Sequence, residues 1–110
     1  MAKVLKKDQH TFVRRQLGTN KQWAINALLK IYSFQTVDEQ ISEQTNNYNN
    51  IGFTGADAKI LTSFAKFYIN KRFLSPKQMA ILFRRMPKYT RQIIEASDTL
   101  KLNKLILSYR

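Results

Sequence analysis

The sequence predicts an all-α fold, a single compact domain of five to six helices. Three observations support this prediction. The chain has 110 residues, enough for one hydrophobic core. Its apolar residues recur at helical spacing, and capping residues and helix breakers separate the apolar segments. No internal repeat is apparent, so residues 1–110 are treated as one domain.

The first predicted helix spans about residues 8–17. Asp8 is a suitable N-cap, because its carboxylate can accept a hydrogen bond from the first turn. Gly18 favours termination, since glycine adopts the backbone conformation that commonly ends a helix. The basic residues 1–7 are expected to form a flexible N-terminus.

The second predicted helix spans about residues 20–35, and Trp23 beside its apolar face is expected in the core or at its rim. That apolar face is formed by Ile25, Leu28, Leu29 and Tyr32. Thr36 and Glu39 have the spacing of a capping box and predict a short third helix. The asparagine-rich segment 45–52, TNNYNNIG, predicts a loop.

Two further helices are predicted after this loop. One spans about residues 56–70, and Ser75 caps the next, with Pro76 at its first position and Gln78 completing a capping box. The short connection 71–74 gives the two helices a helix-turn-helix-like arrangement. An ordinary helical hairpin has the same pattern.

The C-terminal part is predicted to be helical as well. Pro87 lacks a backbone N–H and should end or kink the preceding helix near Met86. A sixth helix is predicted over about residues 87–97. Residues 99–109 fit both strand-like alternation and helical spacing, and we favour the helix.

Charge is the main functional signal. The net charge is +12, which favours a polyanionic partner, most commonly nucleic acid. Acidic membranes, acidic proteins or solubility alone are the alternatives. Residues 36–57 contain four acids and no base, whereas residues 58–94 contain nine bases and no acid. Because solvated helices normally mix both signs, the segment 58–94 predicts a binding surface.

The predicted nucleic-acid-binding surface lies within residues 59–91. Its cations would neutralise phosphates, and either Phe73 or Tyr89 would stack on unpaired bases. Lys77 and Gln78, at the start of the second hairpin helix, would reach base edges or phosphates. The predicted contact residues are Lys66, Lys71, Arg72, Phe73, Lys77, Gln78, Arg84, Arg85, Lys88, Tyr89 and Arg91.

Enzymatic chemistry finds little support in the sequence. The chain has no cysteine and only one histidine, His10, which excludes thiolate and multi-histidine metal sites. Asp38, Glu39 and Asp57 are assigned to first helical turns, where the helix dipole favours acids. No phosphate-binding glycine loop or nucleophile motif is present. We therefore predict no catalytic residue, no metal and no cofactor.

The predicted location is the cytoplasm of a bacterial or host cell. No apolar run approaches the roughly 20 residues that a membrane-spanning helix needs. The N-terminus lacks the apolar stretch and the cleavage site of a signal peptide. A membrane partner is therefore not expected.

Residues 52–93, GFTGADAKILTSFAKFYINKRFLSPKQMAILFRRMPKYTRQI, resemble small, mostly uncharacterised proteins and protein segments of bacteriophages and mobile elements. The residues that carry the resemblance are Gly52, Phe53, Asp57, Ala58, Leu74, Ser75, Lys77, Gln78, Lys88 and Tyr89. The segment from Trp23 through Gln40 is similar too, so the resemblance covers about two-thirds of the chain. Such segments accompany DNA replication or recombination, which implies a role in DNA metabolism but supplies no active site.

The leading hypothesis is a phage or mobile-element accessory protein that binds nucleic acid, DNA rather than RNA, and favours single strands. One alternative is a phage protein that binds and inhibits or recruits a host protein, through the same basic face or through the apolar residues around Phe73. A host or phage replication protein is a further candidate partner. Another is a helix-turn-helix regulator that binds duplex DNA. Homo-oligomerisation is compatible with all three.

Overall fold

The structure is a computed structural model that describes residues 4–34 and 52–109. These two ranges contain six α-helices, one short 3₁₀ helix and no strand, which confirms the all-α prediction. The elements are α1 (Lys6–Thr19), α2 (Lys21–Phe34), α3 (Ala58–Lys71), α4 (Pro76–Arg85), the 3₁₀ helix (Met86–Tyr89), α5 (Thr90–Ala96) and α6 (Thr99–Ser108). The predicted helix beginning at Thr36 and most of the predicted loop 45–52 lie outside the described residues.

One hydrophobic core joins the helices. α1 packs against α2, α4, the 3₁₀ helix, α5 and α6, so it occupies the centre of the fold. Its Val13 and Leu17 are fully buried, as are Leu28 of α2, Leu61 of α3 and Leu82 of α4. These side chains come from distant parts of the sequence, and burying them together stabilises a single compact domain.

The N-terminus of α1 differs from the prediction. The helix begins at Lys6, so Lys6 and Lys7 are helical and do not belong to a flexible N-terminus. Leu5 is the N-cap, and the carboxylate of Asp8 accepts a hydrogen bond from the Leu5 backbone N–H at 2.9 Å. Asp8 therefore stabilises the start of the helix from its third position rather than as the cap.

Gly18 does not end α1, contrary to the prediction. The helix continues through Thr19, and Asn20 is its C-cap. A Cβ atom at this position would lie 3.4 Å from the Cγ of Pro87, an ordinary van der Waals distance, so α1 passes close to the 3₁₀ helix at Gly18.

The predicted signals around α4 and α6 are confirmed. Ser75 Oγ accepts a hydrogen bond from the Gln78 N–H at 3.2 Å, and Gln78 Oε1 accepts one from the Ser75 N–H at 2.8 Å. The chain leaves α-helical geometry beside Pro87, although it continues as the 3₁₀ helix directly into α5. The C-terminal segment is helical, and Asp98 caps it.

Candidate nucleic-acid interface

A buried carboxylate lies at the start of α3, immediately before the segment predicted to bind nucleic acid. The side chain of Asp57 is fully buried. Its Oδ1 accepts a hydrogen bond from Arg85 Nη1 at 2.6 Å, and its Oδ2 lies 2.7 Å from Lys88 Nζ. The hydroxyl of Tyr89 donates to the same Oδ2 at 2.6 Å. We call these four residues the Asp57 cluster.

The cluster keeps Asp57 charged despite its burial. Burial by itself raises the pKa of Asp57, but hydrogen bonds from Lys88, Tyr89 and Arg85 outweigh it and lower the pKa below the ordinary value of 3.8. Burial and the hydrogen bond to Asp57 both raise the pKa of Tyr89 above its ordinary value of 10.0. The pair therefore remains a carboxylate and a neutral phenol around neutral pH.

The segment that leads into α3 is also fixed to the 3₁₀ helix and α5. Phe53 packs edge-on against the Tyr89 ring with centroids 6.0 Å apart, and the Thr54 N–H donates to the Tyr89 hydroxyl at 3.1 Å. Gly52 and Gln92 exchange two hydrogen bonds, at 2.8 and 3.0 Å. These contacts orient Asp57 towards Arg85 at the end of α4 and Lys88 of the 3₁₀ helix.

Five residues of the sequence pattern described above for residues 52–93 meet at this point. They are Gly52, Phe53, Asp57, Lys88 and Tyr89. Their contacts join the start of α3 to the turn between α4 and α5, so they have a structural role in this fold.

The prediction that Tyr89 is available to stack on a base is wrong. Its side chain is only 1% exposed, since the ring packs in the core and its hydroxyl binds Asp57. The prediction for Asp57 is wrong in part. It stands immediately before α3, but its side chain makes no capping hydrogen bond and neutralises Arg85 and Lys88 instead.

Other predicted contact residues also have partners within the chain. Arg85 and Lys88 bind Asp57, and their side chains remain 38% and 45% exposed. Arg91 is exposed but pairs with Glu95 one turn later at 3.1 Å. Gln78 uses its carbonyl oxygen in the capping box, which leaves its amide N–H groups as the part free to contact a ligand.

Four of the predicted contact cations lie on α3, α4 or their connection and have no ion-pair partner among the described residues. Lys71 and Arg72 are exposed at the end of α3, and Lys77 and Arg84 are exposed on α4. Lys77 and Arg84 are seven residues apart, so they share one face of α4, and exposed Ala80 lies between them. Lys66, on α3, is exposed as well.

The hairpin connection presents Phe73 to solvent. Arg72 ends α3 in the left-handed conformation with φ 66°, and its N–H donates to the Tyr68 carbonyl at 2.7 Å. Leu74, the residue after Phe73, is buried. The Phe73 ring packs edge-on against Phe67 at 5.6 Å, yet its side chain is 53% exposed. The connection thus holds an exposed aromatic ring in place.

We define the α3–α4 surface as Lys71, Arg72, Phe73, Lys77 and Arg84. These five predicted residues are exposed side chains on two consecutive helices and their connection. Arg85 and Lys88 are not part of this surface because they pair with Asp57. The sequence did not reveal these ion pairs, because they depend on tertiary packing. The only local signal was the position of Asp57 directly before the acid-free segment.

Two negative findings apply to residues 4–34 and 52–109. They contain no helix with the length and apolar character required to span a bilayer. They also contain no group of three or more histidine or acidic side chains arranged to hold a metal ion.

Comparisons with known proteins found no match: no family model fits the chain, and no curated protein or solved structure is detectably similar to it.

Proposed function

We propose that this protein binds single-stranded DNA through the α3–α4 surface. The observation that carries the proposal is the exposed Phe73 ring, which follows Lys71 and Arg72 and precedes Lys77 at the start of α4. An aromatic ring stacks on unpaired bases, while neighbouring cations bind the phosphates between them. The net charge of +12 favours the approach of any such strand.

Single strands are favoured over duplexes because Phe73 needs an accessible base face. In a duplex the base faces are stacked on one another, so the ring would have no partner without distortion of the DNA. Stacking on an exposed base is worth about 1–3 kcal/mol, comparable with several phosphate contacts. DNA is chosen over RNA on the resemblance to segments that accompany DNA replication and recombination.

A salt titration tests this proposal. Fluorescence anisotropy of a labelled oligothymidylate is measured against protein concentration at several salt concentrations. Each phosphate contact is expected to add about 0.7 to the slope of log affinity against log salt. Phe73→Leu keeps an apolar side chain but removes the aromatic face, so affinity is expected to fall by about fivefold or more. Failure to bind single strands at low salt would overturn the proposal.

Ile69→Ala is the matched control for Phe73→Leu. Ile69 lies on α3 near the same connection and is 51% exposed, but it has no aromatic face. Its truncation is expected to change affinity by less than about twofold, since it cannot stack. An equal loss in both variants would indicate a nonspecific apolar contact.

A helix-turn-helix that binds duplex DNA is the second candidate. The arrangement of Lys77, Ala80 and Arg84 favours it, because small and cationic residues on one exposed face of α4 suit close contact with a DNA groove. This candidate predicts preference for one duplex over random duplex DNA and little effect of Phe73→Leu. Competition between single-stranded and double-stranded DNA and RNA of equal length distinguishes the two candidates.

A further inference from the structure

A groove lies between α2 on one side and the end of α5 with α6 on the other. It encloses about 490 Å³ and opens to solvent along one side. The floor is apolar and is formed by Trp23, Ala27, Ile93, Leu102 and Leu105. None of its lining residues belongs to α3 or α4, so the groove is separate from the α3–α4 surface.

Trp23 gives the groove a rigid aromatic wall. Its ring packs edge-on against Phe12 at 5.8 Å, and Phe12 packs in turn against Tyr109 at 5.1 Å. Trp23 is partly buried and lines the groove, so part of its ring is accessible there. Held aromatic rings beside apolar pockets are typical anchors of protein interfaces.

The rim of the groove carries cations from both walls. Lys30 of α2 and Lys101 of α6 line it, both are exposed, and neither pairs with another described residue. The one acid among the described lining residues is Asp98, whose Oδ1 accepts a hydrogen bond from the backbone N–H of Lys101 at 3.2 Å as the N-cap of α6. The groove therefore combines an apolar floor with two available positive charges.

We propose that this groove binds a short amphipathic helix of a partner protein, with acidic residues flanking its apolar side chains. The α2 wall runs from Gln22 to Lys30, about 12 Å at 1.5 Å per residue. That length matches about two helical turns, enough for two apolar side chains one turn apart to enter the groove. Acidic flanks would then meet Lys30 and Lys101.

Nucleic acid fits this groove less well than such a helix. A phosphate backbone has no apolar side chain to cover the floor, and burying a phosphate against apolar surface costs desolvation free energy. The apolar floor thus distinguishes the groove from the α3–α4 surface, where cations surround a single exposed ring. The inference is independent of the proposed function.

The test uses the fluorescence of Trp23, the single tryptophan of the chain. The probe is an acetylated, amidated peptide of about twelve residues, helical in design, with two leucines one turn apart among glutamates. Addition to the full chain is expected to give a saturable blue shift of tryptophan emission. Replacing the leucines by serine, or the glutamates by lysine, should weaken binding at least about tenfold. Absence of a saturable shift with the acidic leucine peptide would overturn the proposal.

Charge-reversal variants locate the peptide. Lys30→Glu combined with Lys101→Glu should weaken the peptide at least about tenfold, because both exposed lysines line the groove. Lys104→Glu is the matched control, since Lys104 is exposed on α6 outside the lining, and its effect should stay below about threefold. Circular dichroism verifies that each variant is folded. Equal weakening by the control would contradict a site in the groove.

Self-association is the remaining outcome to distinguish. Sedimentation velocity of the chain without peptide, over a range of concentrations, reports whether a second copy fills the groove. A monomer at every concentration supports a foreign partner. A dimer whose formation shifts the Trp23 emission, and which the peptide does not dissociate, would overturn the assignment to a partner protein.

Discussion

Tyr89 donates its hydroxyl hydrogen to Oδ2 of Asp57 at 2.6 Å, and the side chains are 1% and 0% exposed. This bond joins the residue before α3 to the last residue of the 3₁₀ helix. Arg85 and Lys88 complete the cluster from the same region. A buried charge persists only when its partners compensate for the lost hydration. These contacts therefore hold the start of α3 against the 3₁₀ helix.

Asp57→Asn is expected to destabilise the protein by about 2–3 kcal/mol. Removing one member of a buried ion pair typically costs about 3–5 kcal/mol, but partly exposed Arg85 and Lys88 can regain hydration, which reduces the loss. Urea denaturation followed by circular dichroism measures the effect. The control is Asp98→Asn, because asparagine is an equally good N-cap and should change stability by less than about 0.5 kcal/mol. Equal stability of the two variants would contradict the role of Asp57.

The stability of the wild type relative to Asp57→Asn should depend on pH in the acid range. The folded state lowers the pKa of Asp57 below 3.8, so the contribution of this carboxylate is present above that value and disappears as pH falls through the lower, folded pKa. Urea midpoints of both proteins, measured from neutral pH to strong acid, give the difference. It should be constant near neutrality and shrink below about pH 4. A constant difference throughout would contradict the lowered pKa.

Substitutions of the neighbouring residues Arg84 and Arg85 should affect nucleic-acid binding and stability differently. Arg84 is exposed with no described ion-pair partner, whereas Arg85 binds Asp57. Arg84→Ala is expected to leave the urea midpoint unchanged and to reduce the salt slope for oligothymidylate by about 0.7. Arg85→Ala should lower stability by about 1–3 kcal/mol and reduce the slope by less. Reversed roles of the two arginines would contradict the α3–α4 surface as defined.

The sequence predicted the helices because their signals are local. Ser75, Pro76 and Gln78 mark the start of α4 through their spacing alone, and the structure confirms the capping box. Gly18 shows the limit of such signals, since α1 continues past it to Thr19 and packs beside the distant Pro87. Helix ends are decided by competition between local capping and tertiary packing, and only the first is visible in the sequence.

The candidate site was less accessible to sequence analysis for the same reason. Phe73 was correctly expected at an exposed connection, because a short segment between two amphipathic helices has little core to enter. Tyr89 has similar neighbours in sequence, a cation and a helix break, but packing directs it inward to Asp57. Asp57 lies one residue before the acid-free segment 58–94, so the charge count of that segment left it out. The count therefore overestimated the number of cations available to a partner, because Asp57 pairs with Arg85 and Lys88.

Tyr89→Phe provides the opposite test to Phe73→Leu. Loss of the hydroxyl removes the bond to Asp57 but keeps the ring against Phe53, so stability should fall by about 1.5–3 kcal/mol. Burial and the hydrogen bond to Asp57 raise the pKa of Tyr89 above 10, so the folded state favours the neutral phenol. The contribution of this phenol to stability is therefore complete below pH 10 and is lost as the pH rises through the folded pKa. Urea midpoints near neutrality and in alkali measure both effects.

The oligothymidylate affinity of Tyr89→Phe, determined where the variant is folded, should change by less than about twofold, since the buried ring cannot reach a base. A loss of affinity equal to that of Phe73→Leu, with unchanged stability, would instead place Tyr89 at the interface.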